Sequence, residues 1–232
     1  MKEHPILMNG AMVRATLAGT KSQTRRIVKL QELSGSYFEG GAAGVEFDGF
    51  RIPREGGAAP AQFSAEAVGG GAYMSEEIYC PYGEPGDRLW VRETWRTDAT
   101  LDGRAPSDFA GWPVKYEADG AVLGHGAHFG NTDGKTRVSI HMPRWASRIL
   151  LEITGVRVER LHDISDADIE AEGIDMVALA EAQERYDVIA KDGNASGRPT
   201  LRSAWRDLWE STGGDWDANP WLWIISFRRV TP

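Results

Sequence analysis

Two side chains three positions apart, Lys21 and Thr24 in the run LAGTKSQTRR, are of the types that acyl-transfer chemistry needs. A hydroxyl can attack a carbonyl carbon, and an amine can take the proton the hydroxyl gives up. In a helical or turn-like segment this spacing sets both side chains on one side of the chain. The neighbouring charges of Arg25 and Arg26, with partial burial, would discourage the charged form of Lys21 and leave it able to act as a base. The same residues also fit a plainer role, a solvated basic turn that follows a helix.

The surroundings of this run are unusual in charge. The chain carries a formal net charge of -8, yet residues 4–31 contain Arg14, Lys21, Arg25, Arg26 and Lys29 with no Asp or Glu. A local positive field inside an acidic protein suggests an anionic or electron-rich ligand at one place, and it argues against a general coating of nucleic acid.

Other residues are of types that could wall a pocket. Arg92, Glu93 and Trp95 follow one another after an apolar run, HMPRWASR sets Arg144 and Trp145 beside a proline, and KYEADG supplies Tyr116. An aromatic ring beside an arginine suits a planar base through stacking and hydrogen bonding, while core packing is the ordinary use of such rings. No metal or other cofactor is expected. His125 and His128 lie in the Gly-rich HGAH without the i, i+4 spacing of a helical zinc pair, and no phosphate loop or dinucleotide fingerprint is present. The one cysteine, Cys80, excludes an internal disulfide and reads as a bland, at least partly buried thiol.

The elements that must position these residues follow from local chemistry. Asn9 is a helix cap, Val13 and Leu17 share a helix face, and Gly19 is a stop, so LAGTKSQTRR begins where a short helix ends. GDRLWVRETW reads as a turn and a buried strand, and RILLEITGVRVERL as two strand-like runs around Thr154 and Gly155. In the second run, Val156 and Val158 alternate with Arg157 and Glu159. DISDADIEAEGI has capping-box spacing in Ser165 and Asp168, a hydrophobic staple in Ile164 and Ile169, and a stop at Gly173. Glu172 then ends a short helix, where the helix dipole opposes a carboxylate.

Pro199 suits a first helical turn before a stripe of Leu201, Trp205 and Leu208. WLWIISFRRV reads as a closing strand with Trp221, Trp223, Ile225 and Phe227 on one face and a polar opposite face at Ser226 and Arg228.

Between these elements, 27 glycines concentrate in two stretches without sustained periodicity, which read as long loops or hairpin insertions at residues 33–85 and 100–136. The fold class expected is α+β, a small mixed sheet or open barrel with peripheral helices, in one domain over residues 1–232. Hydrophobic residues at 41% and charged residues at 26% are ordinary for a soluble globular chain, and no window approaches the roughly 20 apolar residues of a membrane span. A cytoplasmic protein without a membrane partner is expected.

LAGTKSQTRR resembles the G-x-K-x-x-T-x-R signature of ASCH domains, PUA-like open β-barrels associated with RNA and nucleotide chemistry. GDRLWVRETW, HMPRWASRI, DISDADIEAEGI and WLWIISFRRV resemble the longer ASCH-like proteins often encoded in phages and prophages. The resemblance covers about two thirds of the chain and leaves out the Gly-rich stretches. Small bacterial members convert N4-acetylcytidine to cytidine and acetate with a lysine, a threonine and a glutamate.

The resemblance implies that Lys21, Thr24 and Arg26 are the signature residues and that Glu172 is the glutamate. Thr24 would attack the acyl carbonyl, Lys21 would accept its proton, and Glu172 would orient a reacting group and protonate the departing cytosine nitrogen. Arg26 or a backbone N–H would stabilise the oxyanion. The partner implied is an N4-acylated cytosine nucleoside or another modified base, with RNA as the alternative partner of a module that reads a base without turnover. A phage-associated accessory or structural protein, or a nuclease, is a further class.

Overall fold

The computed structural model describes residues 1–30, 33, 44–53, 58–67, 73–124, 132–190 and 197–230. The chain forms two units, each from separate stretches: Met1–Ser22, Pro85–Thr154 and Phe227–Pro232 in the first, Gln23–Glu84 and Gly155–Ser226 in the second. Strands and helices are numbered along the whole chain.

In the first unit, β1 (Glu3–Leu7) runs parallel to β6 (Arg88–Arg92), with Ile6 opposite Val91. The opening residues of β10 (Leu150–Arg160) run antiparallel to β6, with Leu150 opposite Trp90. Strand alternation sends Leu89 and Val91 inward. Helix α1 (Gly10–Ala18) starts where the Asn9 side chain accepts from the Met12 N–H at 2.9 Å. It ends at Gly19, whose φ of +80° would strain any residue with a Cβ, and whose N–H returns to the Ala15 and Thr16 carbonyls. A second small sheet, β7 (Trp95–Arg96), β8 (Val114–Tyr116) and β9 (Val122–Leu123), lies with a core of Trp95, Leu101, Phe109, Val114, Tyr116 and Met142.

In the second unit, β2 (Gln23–Ile27) runs antiparallel to β11 (Trp221–Val230), with Thr24 opposite Ile225 and Arg25 opposite Ile224. The later residues of β10 lie on the other side of β11, so β2 is an edge strand. Helices α2 (Asp166–Ala171) and α4 (Leu201–Ser211) cover one face through Leu161, Ile164, Ile169, Trp205, Leu222 and Ile224. Between them in sequence, α3 (Met176–Ala190) buries only Leu179. Three antiparallel strands, β3 (Glu46–Phe50), β4 (Ala61–Glu66) and β5 (Tyr73–Ile78), form a separate sheet. Its Phe47 and Phe63 pack on Trp221 at ring separations of 5.9 and 6.0 Å.

The fold is therefore α+β with several small sheets, helices beside them, and no closed barrel among the described residues. Several local expectations need correction. The two runs around Thr154 and Gly155 are one eleven-residue strand. Both faces of β11 are buried as far as Ile225, with Leu222 and Ile224 under the helices, and the second face turns polar at Ser226 and Arg228 as expected. Pro199 precedes the cap of α4, and Thr200 makes a capping box with Ser203. The first Gly-rich stretch, read as long loops or hairpin insertions, holds the antiparallel β3–β5 sheet, with Ala61, Phe63 and Ala65 buried. His125, His128 and most of GSYFEGGAAG lie outside the described residues.

Candidate functional site

Strand geometry sorts the residues of β2. Side chains alternate, so Gln23 and Arg25 share one face while Thr24 and Arg26 share the other. Arg25 pairs across the ladder with Ile224, which belongs to the core under the helices, and its guanidinium carbon lies 5.8 Å from the Trp205 ring centroid. Gln23 points the same way, with Nε2 donating to the Asp168 carbonyl at 3.0 Å and to its carboxylate at 2.7 Å.

Arg25 is the hub of a buried ionic network. Its side chain has no solvent exposure; Nη1 donates to Glu172 Oε1 at 3.0 Å, and Nη2 donates to Glu159 Oε2 and Asp168 Oδ2, each at 3.3 Å. Arg157 supports two of these carboxylates, with Nε to Glu159 at 2.6 Å and Nη2 to Asp168 at 2.6 Å. Burial pushes the Asp168 carboxyl up, but Gln23, Arg157 and Arg25 outweigh it and hold Asp168 below the usual carboxylate range. The acid-free run thus receives three carboxylates from β10 and the α2 segment, where the sequence argument foresaw one.

Glu172 is 2% exposed and caps the C-terminus of α2, where Gly173 takes a φ of +85°. The helix dipole disfavours a carboxylate there, and the Arg25 guanidinium offsets that cost directly. Ser165 caps the other end by accepting from the Asp168 N–H, leaving the Asp168 carboxylate to Gln23, Arg157 and Arg25.

Thr24 is 1% exposed and its hydroxyl has no hydrogen-bond partner among the described residues. An orphaned buried hydroxyl is uncommon, since leaving one unmade costs on the order of 1–3 kcal/mol. On the same face, burial lowers the pKa of the half-buried Arg26, opposed by Tyr82 and by Glu172. Tyr82 has its phenol pushed up by burial, with Arg26 acting against that rise. Cys80, near Tyr82, is raised by burial to about 11, so the thiol is neutral, as its sequence setting suggested.

Lys21 is 3% exposed and belongs to the first unit, three residues before Thr24 along the chain. The remaining sequence candidates are also in the first unit, where each has a packing or pairing role. Trp95 is fully buried, with Trp145 edge-on to it at 6.1 Å, and the Tyr116 hydroxyl donates to the Ala146 carbonyl at 2.8 Å. Glu93 takes both arms of Arg148 at 2.9 Å, and the Arg148 guanidinium sits 4.0 Å from the Tyr116 ring. Arg92 donates to the Met142 and Ile140 carbonyls, and Arg144 makes an exposed pair with Glu3.

Sequence reasoning missed Arg25, Arg157, Glu159, Asp168 and Tyr82. The alternation of Arg157 and Glu159 with Val156 and the buried Val158 was a signal for a polar strand face, but nothing local indicated what that face meets. Among the described residues no cluster of His, Cys, Asp and Glu could hold a metal ion, and no helix is long and apolar enough to cross a membrane. No family model, curated protein or solved structure matches the chain.

Proposed function

We propose that the protein is an amidohydrolase that removes the acyl group from N4-acylated cytosine nucleosides, built on a PUA-like arrangement of its small sheets. The observation that carries this reading is the Thr24 hydroxyl, buried without a partner in a segment that resembles the ASCH signature. A group that forgoes its hydrogen bond at rest is available to one that arrives with a substrate. The buried Glu172 carboxylate, held by Arg25 and acting on Arg26, supports the same reading.

In the proposed reaction, Thr24 Oγ1 attacks the acyl carbon as its proton passes to Lys21, whose role rests on sequence spacing and on the resemblance. The C–N bond breaks as the proton taken up by Lys21 passes by way of the Glu172 carboxylate to cytosine N4, giving cytidine and an acyl-threonine. Water then releases the carboxylate product and restores Thr24. Arg26 stabilises the oxyanion in both steps.

Incubating the protein with N4-acetylcytidine tests this, following loss of substrate absorbance and release of cytidine. The wild type turns over, while Lys21→Ala, Thr24→Ala and Glu172→Gln keep the fold and lose turnover. Intact activity in all three variants would remove the mechanism. A module that reads a modified base without turnover is the second reading, favoured by the interaction of Arg26 with Tyr82, a cation and a planar ring suited to stacking a base. Saturable, salt-sensitive RNA binding with no product would select it.

A further inference from the structure

We infer that Arg25 is a positioning residue for the proposed reaction, the group that fixes the orientation of the Glu172 carboxylate. This rests on the amidohydrolase reading above, in which Arg25 has no part: it occupies an unspecified position of the signature, and its side chain lies on the face of β2 opposite Thr24.

Three observations carry the inference. First, the shortest of the three carboxylate contacts of Arg25 is the one to Glu172, 3.0 Å against 3.3 Å for each of the others. Second, Glu159 and Asp168 are each also bonded by Arg157 at 2.6 Å, and Asp168 by Gln23, so those two do not depend on Arg25 alone. Third, the guanidinium cannot swing. It is fully buried, with Trp205 of α4 beside it and Ile224 opposite it in the ladder.

A planar guanidinium locked in this way donates through Nη1 to Oε1 of Glu172 and so limits how the carboxylate can turn. For a carboxylate that must deliver a proton to one nitrogen, that orientation is a large part of its usefulness. In this unit Arg25 donates to Glu172 Oε1 at 3.0 Å, and its other arm reaches Glu159 and Asp168, which Arg157 also supports.

The test compares Arg25→Lys, which keeps the charge and loses the fork, with Arg25→Gln, which loses both. Turnover of N4-acetylcytidine is followed across pH, per mole of folded protein. Urea unfolding of each variant is followed in parallel. For Arg25→Lys, plateau kcat falls roughly 10- to 100-fold with KM within about twofold, and the acid limb moves little. For Arg25→Gln, plateau kcat falls at least as far, again with KM within about twofold. A merely structural arginine would lower stability in both variants and leave kcat per mole of folded protein at the wild-type level.

Should both variants fail to fold, Glu159→Gln carries the test. It removes a competing acceptor from Arg25 while Arg157 still supports Asp168, so the bond to Glu172 is kept and kcat stays within about threefold of the wild type. A tenfold or greater loss of kcat there, or wild-type kcat in the folded Arg25 variants, overturns the role of Arg25 and leaves the reaction standing. No wild-type turnover overturns both.

Discussion

Replacing Thr24 by valine separates stability from function in a direction that ordinary core substitutions do not. Valine has nearly the shape of threonine with a methyl in place of the hydroxyl, so the volume at this 1% exposed position is kept. Because the hydroxyl has no partner, the substitution removes an unmet polar group and breaks no hydrogen bond. An unsatisfied buried donor costs about 1–3 kcal/mol, and that is the stability Thr24→Val gains. For a chain of this length each kcal/mol corresponds to roughly 2–4 °C, so the melting temperature rises by roughly 2–12 °C. The assay is thermal and urea denaturation followed by tryptophan fluorescence, beside N4-acetylcytidine turnover. The variant is more stable and inactive, while Thr24→Ser retains turnover. A Thr24→Val protein less stable than the wild type would show that the hydroxyl has a partner in solution, and the argument from its orphaned state would fail.

Two further predictions concern other parts of the molecule. Arg148→Met strips Glu93 of both its 2.9 Å bonds while leaving it buried, and costs about 3–5 kcal/mol, much of which the double variant with Glu93→Leu recovers. Burial already raises the Glu93 pKa against the pull of Arg148. In Arg148→Met it rises further, so the loss is greatest at neutral pH and shrinks as pH falls through the raised value; a loss independent of pH between about 4 and 7 would contradict this. Cys80, with its thiol raised to about 11, reacts with iodoacetamide at pH 7.5 about two orders of magnitude more slowly than an ordinary cysteine in the same buffer. Labelling at the rate of a free thiol would refute the burial that causes the shift.

The elements with capping chemistry were legible in the sequence. Asn9 and Gly19 bound α1, Ser165 and Gly173 bound the α2 turn, and the staple residues Ile164 and Ile169 are buried together. These signals act within a few residues, and tertiary packing reinforces them. Helix α3 was not legible because it has almost no inward face: Met176, Val177, Val188 and Ile189 are exposed, and only Leu179 is buried. Glycine density hid the β3–β5 sheet, although Ala61, Phe63 and Ala65 do alternate. The residue types in the site were readable, and Thr24 and Glu172 are both buried in the second unit. Their surroundings were not, because the partners of Arg25 come from strand and helix positions more than 130 residues away. The aromatic residues picked as a wall have core positions in the first unit, which no local pattern distinguishes from a binding face.

The interleaving of the two units constrains how the chain can be made. Gln23 pairs with Ser226, and the first unit draws on residues from both ends of the sequence. During synthesis on the ribosome, β2 is exposed as an unpaired edge until almost the whole chain has emerged, and Arg25 waits for Glu159, Asp168 and Glu172 to follow it out. Loop closure over such separations is slow, and an open strand edge invites other partners in the meantime. No single cut yields either unit as one contiguous fragment, so β2 cannot be paired within its unit until β11 has been made.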